Sequence, residues 1–208
     1  MKVNVMKKLS ILLLLFIIAG AFAVPQNYIR NGKFTYLKYR GSVKVADGVL
    51  PDPWQPQSAL AKWPTDCTVV TDVKPESYNG NAYRITGTNY LFQYTYKVTP
   101  NKSYKLSCKM KTENIIAKAQ PRFQIIWVDK NHREILRDYT DKNGKVTKGW
   151  DHKWTWTTSN HDWKEFTIPE ITAPANAVYG KIRIGKADAA GVVYYADLKM
   201  EEISSEQK

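Results

Sequence analysis

The feature of the sequence that most constrains its fold is a series of short segments in which apolar and polar residues alternate, separated by turn sequences. In one of them Tyr104, Leu106, Cys108 and Met110 would lie on one side of an extended chain, because successive side chains of a strand point to opposite faces. Few windows repeat apolar residues at helical spacing, and the abundant aromatic, Val, Ile and Thr residues also favour strands. The pattern predicts an all-β fold, an antiparallel β-sandwich or jelly roll.

Roughly ten strands are predicted from this alternation. They cover residues 28–37, 68–72, 82–86, 90–98, 103–112, 122–128, 153–158, 164–168, 177–186 and 191–202. Turn sequences such as Asn79-Gly80-Asn81 and Asn143-Gly144 lie between them. The proline-rich stretch 49–64 is interpreted as an ordered surface loop within the same domain.

The N-terminus has the three parts of a secretory signal peptide. Lys2, Lys7 and Lys8 precede an apolar run over residues 11–19, and Ala21-Phe22-Ala23 supplies the small residues of a cleavage site. The apolar run is about half as long as the roughly 20 residues that a membrane span needs. We therefore expect a signal peptide over residues 1–23, a single domain over residues 24–208, no membrane span and a secreted or extracytoplasmic location.

The chain is basic, with 31 Lys and Arg against 19 Asp and Glu and a net charge of +12. Removal of residues 1–23 takes away three lysines and no acid, which leaves 28 basic against 19 acidic residues, or +9. Such an excess is typical of nucleic-acid binding, where Lys and Arg contact phosphates. Because an exported protein rarely meets nucleic acid, we expect no such partner and attribute the charge to attraction for anionic glycans or cell envelopes.

The two cysteines, Cys67 and Cys108, leave two interpretations open. An even number of cysteines in an oxidising compartment favours a disulfide between them. The alternation around Cys108 instead allows both to be small core residues. No Cys and His spacing matches a zinc site.

Seven short motifs follow one another along the chain: Asn31-Gly32-Lys33-Phe34, Pro51-Asp52-Pro53-Trp54, Asn79-Gly80-Asn81-Ala82-Tyr83-Arg84, Pro100-Asn101-Lys102-Ser103-Tyr104, Asp162-Trp163-Lys164-Glu165-Phe166, Ile171-Thr172-Ala173-Pro174 and Val193-Tyr194-Tyr195-Ala196-Asp197-Leu198. In their order and spacing over residues 27–203, the chain resembles the jelly-roll carbohydrate-binding modules of families 4, 9, 16 and 22. The resemblance implies two antiparallel sheets, a sugar on the concave sheet or at the loop rim, and no catalysis by the module itself. Such modules are commonly appended to a glycoside hydrolase, so the resemblance leaves two expectations open: the protein works alone, or it meets a glycan-degrading enzyme in trans.

The resemblance further implies, in many members, a structural calcium ion between the N-terminal motif and the last strand. This chain has Lys33 and Thr35 where the family usually has acidic residues. Asp197 remains as a candidate ligand, although calcium takes six or more oxygens.

A sugar site needs exposed aromatic rings for the C–H faces of a pyranose and planar polar groups for its hydroxyls. If residues 150–156 are extended, Trp150, Trp154 and Trp156 point the same way, together with His152. Three indoles on one face predict a stacking platform. The alternative is that this face covers the sandwich core, since Trp is usually mostly buried.

Alternation also selects the polar groups. In segment 122–128 it places Arg122 and Gln124 opposite the core side, and in segment 181–185 it does the same for Lys181 and Arg183. Gln93 is expected to join them from the strand over residues 90–98. If the three basic residues share one sheet, they form a cationic floor suited to uronic acids or sulfated sugars; the alternative is an ordinary solvated face.

These observations predict a secreted protein that binds a polysaccharide or oligosaccharide without catalysis. One alternative is a jelly-roll polysaccharide lyase, in which Tyr139, His132, His152 and Arg122 would converge. A third is an envelope or adhesion protein that uses the sandwich as a scaffold and binds no sugar.

Overall fold

The computed structural model describes residues 26–35, 54–56 and 67–204, and this part of the chain contains twelve strands and no helix. The predicted signal peptide and most of the proline-rich stretch 49–64 lie outside the described residues. The strands are β1 (Gln55–Pro56), β2 (Cys67–Val70), β3 (Ala82–Ile85), β4 (Asn89–Tyr94), β5 (Ser103–Glu113), β6 (Arg122–Val128), β7 (Leu136–Thr140), β8 (Val146–Trp150), β9 (His152–Trp156), β10 (His161–Thr172), β11 (Tyr179–Lys186) and β12 (Val192–Glu202).

Ten of these strands form two five-stranded antiparallel sheets. The front sheet has the order β1-β4-β11-β6-β9, and the back sheet has the order β10-β5-β12-β3-β2. Strands β7 and β8 pair with each other as a separate hairpin. The predicted all-β sandwich is confirmed.

The core lies between the inner faces of the two sheets. Ile125, Trp127 and Ile184 contribute from the front sheet, and Leu106 and Met110 from the back sheet, all of them buried. A tyrosine connects the two layers by hydrogen bonds. The buried hydroxyl of Tyr195, from β12, accepts from the N–H of Gly185 (3.2 Å) and lies within hydrogen-bond distance of the carbonyl oxygens of Gly185 (2.8 Å) and Arg122 (3.0 Å).

The predicted strand over residues 28–37 is not present in the described part of that range. Asn31 and Phe34 have positive φ angles (46° and 52°), so the chain turns there. The segment nevertheless lies along β12, because the N–H of Leu198 donates to the carbonyl of Gly32 (3.1 Å). A Cβ atom at position 32 would come within 2.1 Å of the Leu198 carbonyl oxygen, so this close approach requires glycine.

Of the two interpretations of Cys67 and Cys108, the disulfide is wrong; both are buried thiols, as the core interpretation expects. Cys67 is on β2 and Cys108 is on β5, with β3 and β12 between them. Three strand spacings separate them by roughly 14 Å. A disulfide allows Cα atoms no more than about 7 Å apart. Burial also raises the pKa of the Cys108 thiol well above its ordinary value, so this thiol stays protonated and unreactive.

A fully buried lysine closes the turn between β11 and β12. The ammonium of Lys186 donates to the carbonyl oxygens of Thr86 (2.9 Å), Asp188 (2.8 Å) and Ala190 (3.2 Å). The positive charge is therefore solvated by backbone carbonyls in place of water, and it ties the β11–β12 turn to the end of β3.

Replacing this lysine tests that role. We expect Lys186→Met to lower the free energy of unfolding by about 2 kcal/mol or more, because the carbonyls lose a charged donor. The exposed Lys153→Met serves as the control and should change it by less than about 0.5 kcal/mol. Urea denaturation measures both. Equal stability of the two variants would contradict the role given to Lys186.

Candidate functional site

The outer face of the front sheet, which points away from the core, gathers most of the predicted site residues. The register pairs Arg183 of β11 with Gln124 of β6, and Gln124 with Trp154 of β9. One row further along, Arg122 of β6 pairs with Trp156 of β9. Residues paired across strands share a face, so these five side chains form two adjacent rows.

The tryptophans of this face are half exposed. Trp150, Trp154 and Trp156 expose 40%, 46% and 47% of their surface, whereas Trp54 and Trp127 are fully buried. The alternative that these indoles cover the sandwich core is therefore wrong. Trp154 and Trp156 alternate along β9 as expected.

Trp150 reaches the same face by a different route from the one predicted. Strands β8 and β9 are not one continuous extended segment. Asp151 separates them, and its backbone N–H and carbonyl form hydrogen bonds with two different segments. Its N–H donates to Ile135 (2.7 Å), and its carbonyl accepts from the N–H of Trp127 (3.0 Å). These bonds carry the end of β8 over the front sheet, where the Trp150 ring lies 5.9 Å from the guanidinium carbon of Arg183.

Gln93 does not join this face, and its predicted outward orientation is wrong. It is 1% exposed and lies on the core side of β4, next to the buried Leu91 in the alternation. Its amide oxygen accepts from the N–H of Arg30 (3.1 Å), and its amide nitrogen donates to the Arg30 carbonyl (2.7 Å). Gln93 therefore holds the N-terminal segment against the sheet.

Three aromatic residues on the opposite side of β4 also belong to this outer face, although they are not among the site residues predicted from the sequence. Tyr90, Phe92 and Tyr94 lie on the outer face, since Phe92 pairs with the outward-pointing Arg183. The guanidinium carbon of Arg183 lies 4.7 Å from the centroid of the Tyr90 ring. The alternation of residues 89–94 would have revealed them once Leu91 was assigned to the core.

Arg183 is the most deeply placed cation of the face. Its guanidinium carbon lies 4.7 Å from the centroid of the Tyr90 ring and 5.9 Å from that of the Trp150 ring. The residue is only 8% exposed, and its Nη1 donates to Oε1 of Gln124 (3.1 Å). Its Nε atom is buried without a hydrogen-bond partner. Burial lowers the pKa of the guanidinium from its ordinary value, and the neighbouring Arg122 lowers it further.

The other two basic residues of the predicted cationic floor differ from each other. Lys181 forms an ion pair with Glu134 (2.9 Å), and its ammonium lies 4.7 Å from the Phe92 ring. Its charge is therefore balanced. Arg122 donates to the neutral amide oxygen of Gln120 (2.8 Å) and carries no ion pair to a described residue.

The residues of the lyase alternative do not converge. Tyr139 and His152 line a shallow cleft of about 230 Å³ beside Trp154, but both bond the same backbone group. The Tyr139 hydroxyl donates to the Trp150 carbonyl (2.5 Å), and Nδ1 of His152 lies 2.6 Å from the same oxygen. His132 lies apart from this cleft. Its ring centroid is 4.3 Å from that of Tyr94 and 4.9 Å from that of Tyr179.

The Asp197 carboxylate does not fit a calcium site. Its Oδ2 accepts from the ammonium of Lys199 at 2.8 Å, so a cation of the protein itself already binds it. Among the described residues there is no group of three or more His, Cys, Asp or Glu side chains that could hold a metal ion. The described part of the chain also contains no helix long and apolar enough to cross a membrane.

Comparison with solved structures shows where this fold occurs. A domain of tailspike protein 4 of bacteriophage CBA120 superposes with a TM-score of 0.58 at 11% identity, over 85% of this chain and 21% of that chain. A family 16 carbohydrate-binding module superposes with a TM-score of 0.51 at 14% identity, over 84% of this chain and 99% of that one. The fold is that of a jelly-roll carbohydrate-binding module. This confirms the fold that the motif resemblance implies.

A third similar structure is an arabinose-bound α-L-arabinofuranosidase, with a TM-score of 0.53 at 13% identity, over 91% of this chain and 28% of that chain. The present chain thus spans about a fifth of the tailspike chain and about a quarter of the arabinofuranosidase chain. No protein-family model and no curated protein sequence matches the chain.

The protonation state of His152 can be measured. A carbonyl oxygen can only accept, so Nδ1 of His152 must carry the proton in its bond to Trp150. Burial lowers the pKa of the imidazole below its ordinary value of 6.5, and the charges of Arg137 and Arg183 lower it further. Ring-nitrogen NMR should therefore show a neutral Nδ1–H tautomer at pH 7 and a titration midpoint below 6.5. An Nε2–H tautomer or a midpoint above 6.5 would contradict this geometry.

Proposed function

We propose that the protein is a secreted, non-catalytic carbohydrate-binding protein that holds a polysaccharide or oligosaccharide on the outer face of the front sheet. The observation that carries the proposal is the set of half-exposed Trp150, Trp154 and Trp156 on one face beside Gln124 and Arg183. The aromatic rings offer stacking surfaces, and the amide and guanidinium offer hydrogen bonds.

The exposure of the indoles supports a ligand of this kind. A large apolar ring in water is unfavourable, and several together are typical of a binding surface. A sugar suits them because its C–H faces are apolar while its hydroxyls require planar polar partners nearby. Gln124 lies between Trp154 and Arg183 in the register, so both kinds of group fall within one row.

The two tryptophans of β9 indicate how a sugar chain would lie. Trp154 and Trp156 are two residues apart on one side of a strand, which spaces them by about 6.7 Å. We propose that they contact successive sugar residues of one chain running along β9. This arrangement favours a polysaccharide or oligosaccharide over a monosaccharide.

The absence of catalysis is part of the proposal. The Tyr139 hydroxyl and the His152 Nδ1–H both donate to the Trp150 carbonyl, so neither of these protons is directed at a ligand. Their common role is to fix the end of β8 and with it the Trp150 ring. A glycan-degrading enzyme is the proposed partner in trans, since the same fold forms part of an arabinofuranosidase chain.

Affinity gel electrophoresis with neutral and acidic polysaccharides tests this function. We expect the wild-type protein to be retarded by at least one polymer. Trp154→Ala and Trp156→Ala should each weaken that binding about tenfold or more, as expected when a central aromatic anchor is removed. Trp163→Ala is the matched control, because Trp163 lies on β10 of the back sheet, and its binding should equal that of the wild type.

Three outcomes would contradict the proposal. Unchanged binding in both β9 variants would remove these tryptophans from the site, and no retardation by any polymer would favour the scaffold alternative. Release of reducing sugars or of unsaturated uronates from a bound polymer would show that the protein is an enzyme.

A further inference from the structure

Arg183 is a buried cation that forms no ion pair with a described residue. The carboxylate that acts on it is that of Glu134, which is already paired with Lys181 (2.9 Å). The rings of Tyr90 and Trp150 compensate part of the charge through their π faces, an effect of about 0.5–2 kcal/mol. The Nε atom of Arg183 is buried and has no hydrogen-bond partner.

The hydrogen bond to Gln124 orients this cation. The Gln124 amide oxygen accepts from Nη1 at 3.1 Å and is itself 3% exposed within the same row of the sheet. The neighbouring Arg122 adds a second positive charge near Tyr90, with its guanidinium carbon 5.8 Å from the centroid of that ring. Two guanidinium groups thus lie close to one aromatic ring on the proposed binding face, and neither forms an ion pair with a described residue.

We propose that the bound saccharide is acidic and that its anionic group, a carboxylate or a sulfate ester, pairs with Arg183. This rests on the proposed function and names its ligand class. An anion at the guanidinium edge that Gln124 leaves open would pair with this cation directly, and a planar fork suits both kinds of anion. Trp150, at the end of β8, lies over the same guanidinium, with the ring centroid 5.9 Å from its carbon.

Pairs of polymers that differ only in their charged groups show whether the negative charge contributes to binding. Isothermal titration compares polygalacturonate with its methyl ester, and a sulfated galactan with the same galactan after desulfation. We expect the wild type to bind at least one acidic polymer about tenfold or more tightly than its neutral counterpart, as for a charge-assisted hydrogen-bonded pair. The pair that shows the preference identifies the anion.

Two variants test whether Arg183 is responsible. Gln124→Glu is nearly isosteric and places a permanent carboxylate on the Arg183 guanidinium, so it should reduce the preference to below about threefold while the protein stays folded. Arg183→Gln should have the same effect. Lys164→Gln is the control; it removes one exposed charge from β10 of the back sheet, and it should keep the preference.

Equal affinity of the wild type for the charged and neutral member of both pairs would overturn the inference, and so would a preference that survives in Gln124→Glu. Binding to neutral polymers alone would overturn it while leaving the proposed function in place. Failure to bind any polymer would instead count against the proposed function.

Discussion

The strands of the front sheet build the core and the proposed binding face at the same time, because successive side chains of an extended chain point to opposite sides. In β6, Trp127 and Ile125 enter the core while Gln124 and Arg122 point outward. The position of each site residue is therefore fixed by the burial of its neighbours. A slip of one residue in the register would move the core residues to the outer face and the guanidinium groups into the apolar core, so the sandwich core enforces the geometry of the face.

The same rule explains which parts of the fold could be predicted from the sequence. Strands with one buried and one polar face, such as β5 and β6, show clear alternation, and their predicted bounds agree with the structure to within one residue. Strands β7 and β8 were missed because their side chains are almost all exposed, so neither face carries an apolar signal. The turn at Asn31 was read as a strand because its positive φ and the close contact of Gly32 are not visible in a hydrophobic pattern.

Several residues of the proposed binding face could be predicted from the sequence, but the pairing of its charges and the burial of Arg183 could not. Trp154, Trp156, Gln124 and Arg183 follow from alternation alone. The sequence predicts Gln93 on the outer face because its amide is polar. In the structure this amide is buried, because it bonds the Arg30 backbone, which comes from a distant segment. The ion pair between Lys181 and Glu134 and the enclosure of Arg183 depend on how the β7–β8 hairpin crosses the sheet, which no local pattern encodes.

The structure shows which basic residues of the described chain are paired with acids and which are not. Several basic residues are paired with acids, including Lys181 with Glu134, Lys199 with Asp197 and Arg137 with Asp151 (3.5 Å). At the proposed site, Arg122 and Arg183 remain without such partners among the described residues. A nonspecific excess of charge would be distributed over the surface, whereas these two cations lie next to the exposed tryptophans.

Assigned indole N–H resonances, followed during titration with a bound oligosaccharide, show whether sugar stacks on the outer face of the front sheet. We expect the signals of Trp150, Trp154 and Trp156 to shift together with one affinity, while those of the buried Trp54 and Trp127 and of Trp163 on the back sheet stay in place. Shifts confined to Trp163, or saturable binding that leaves all three front-face indoles unchanged, would contradict it.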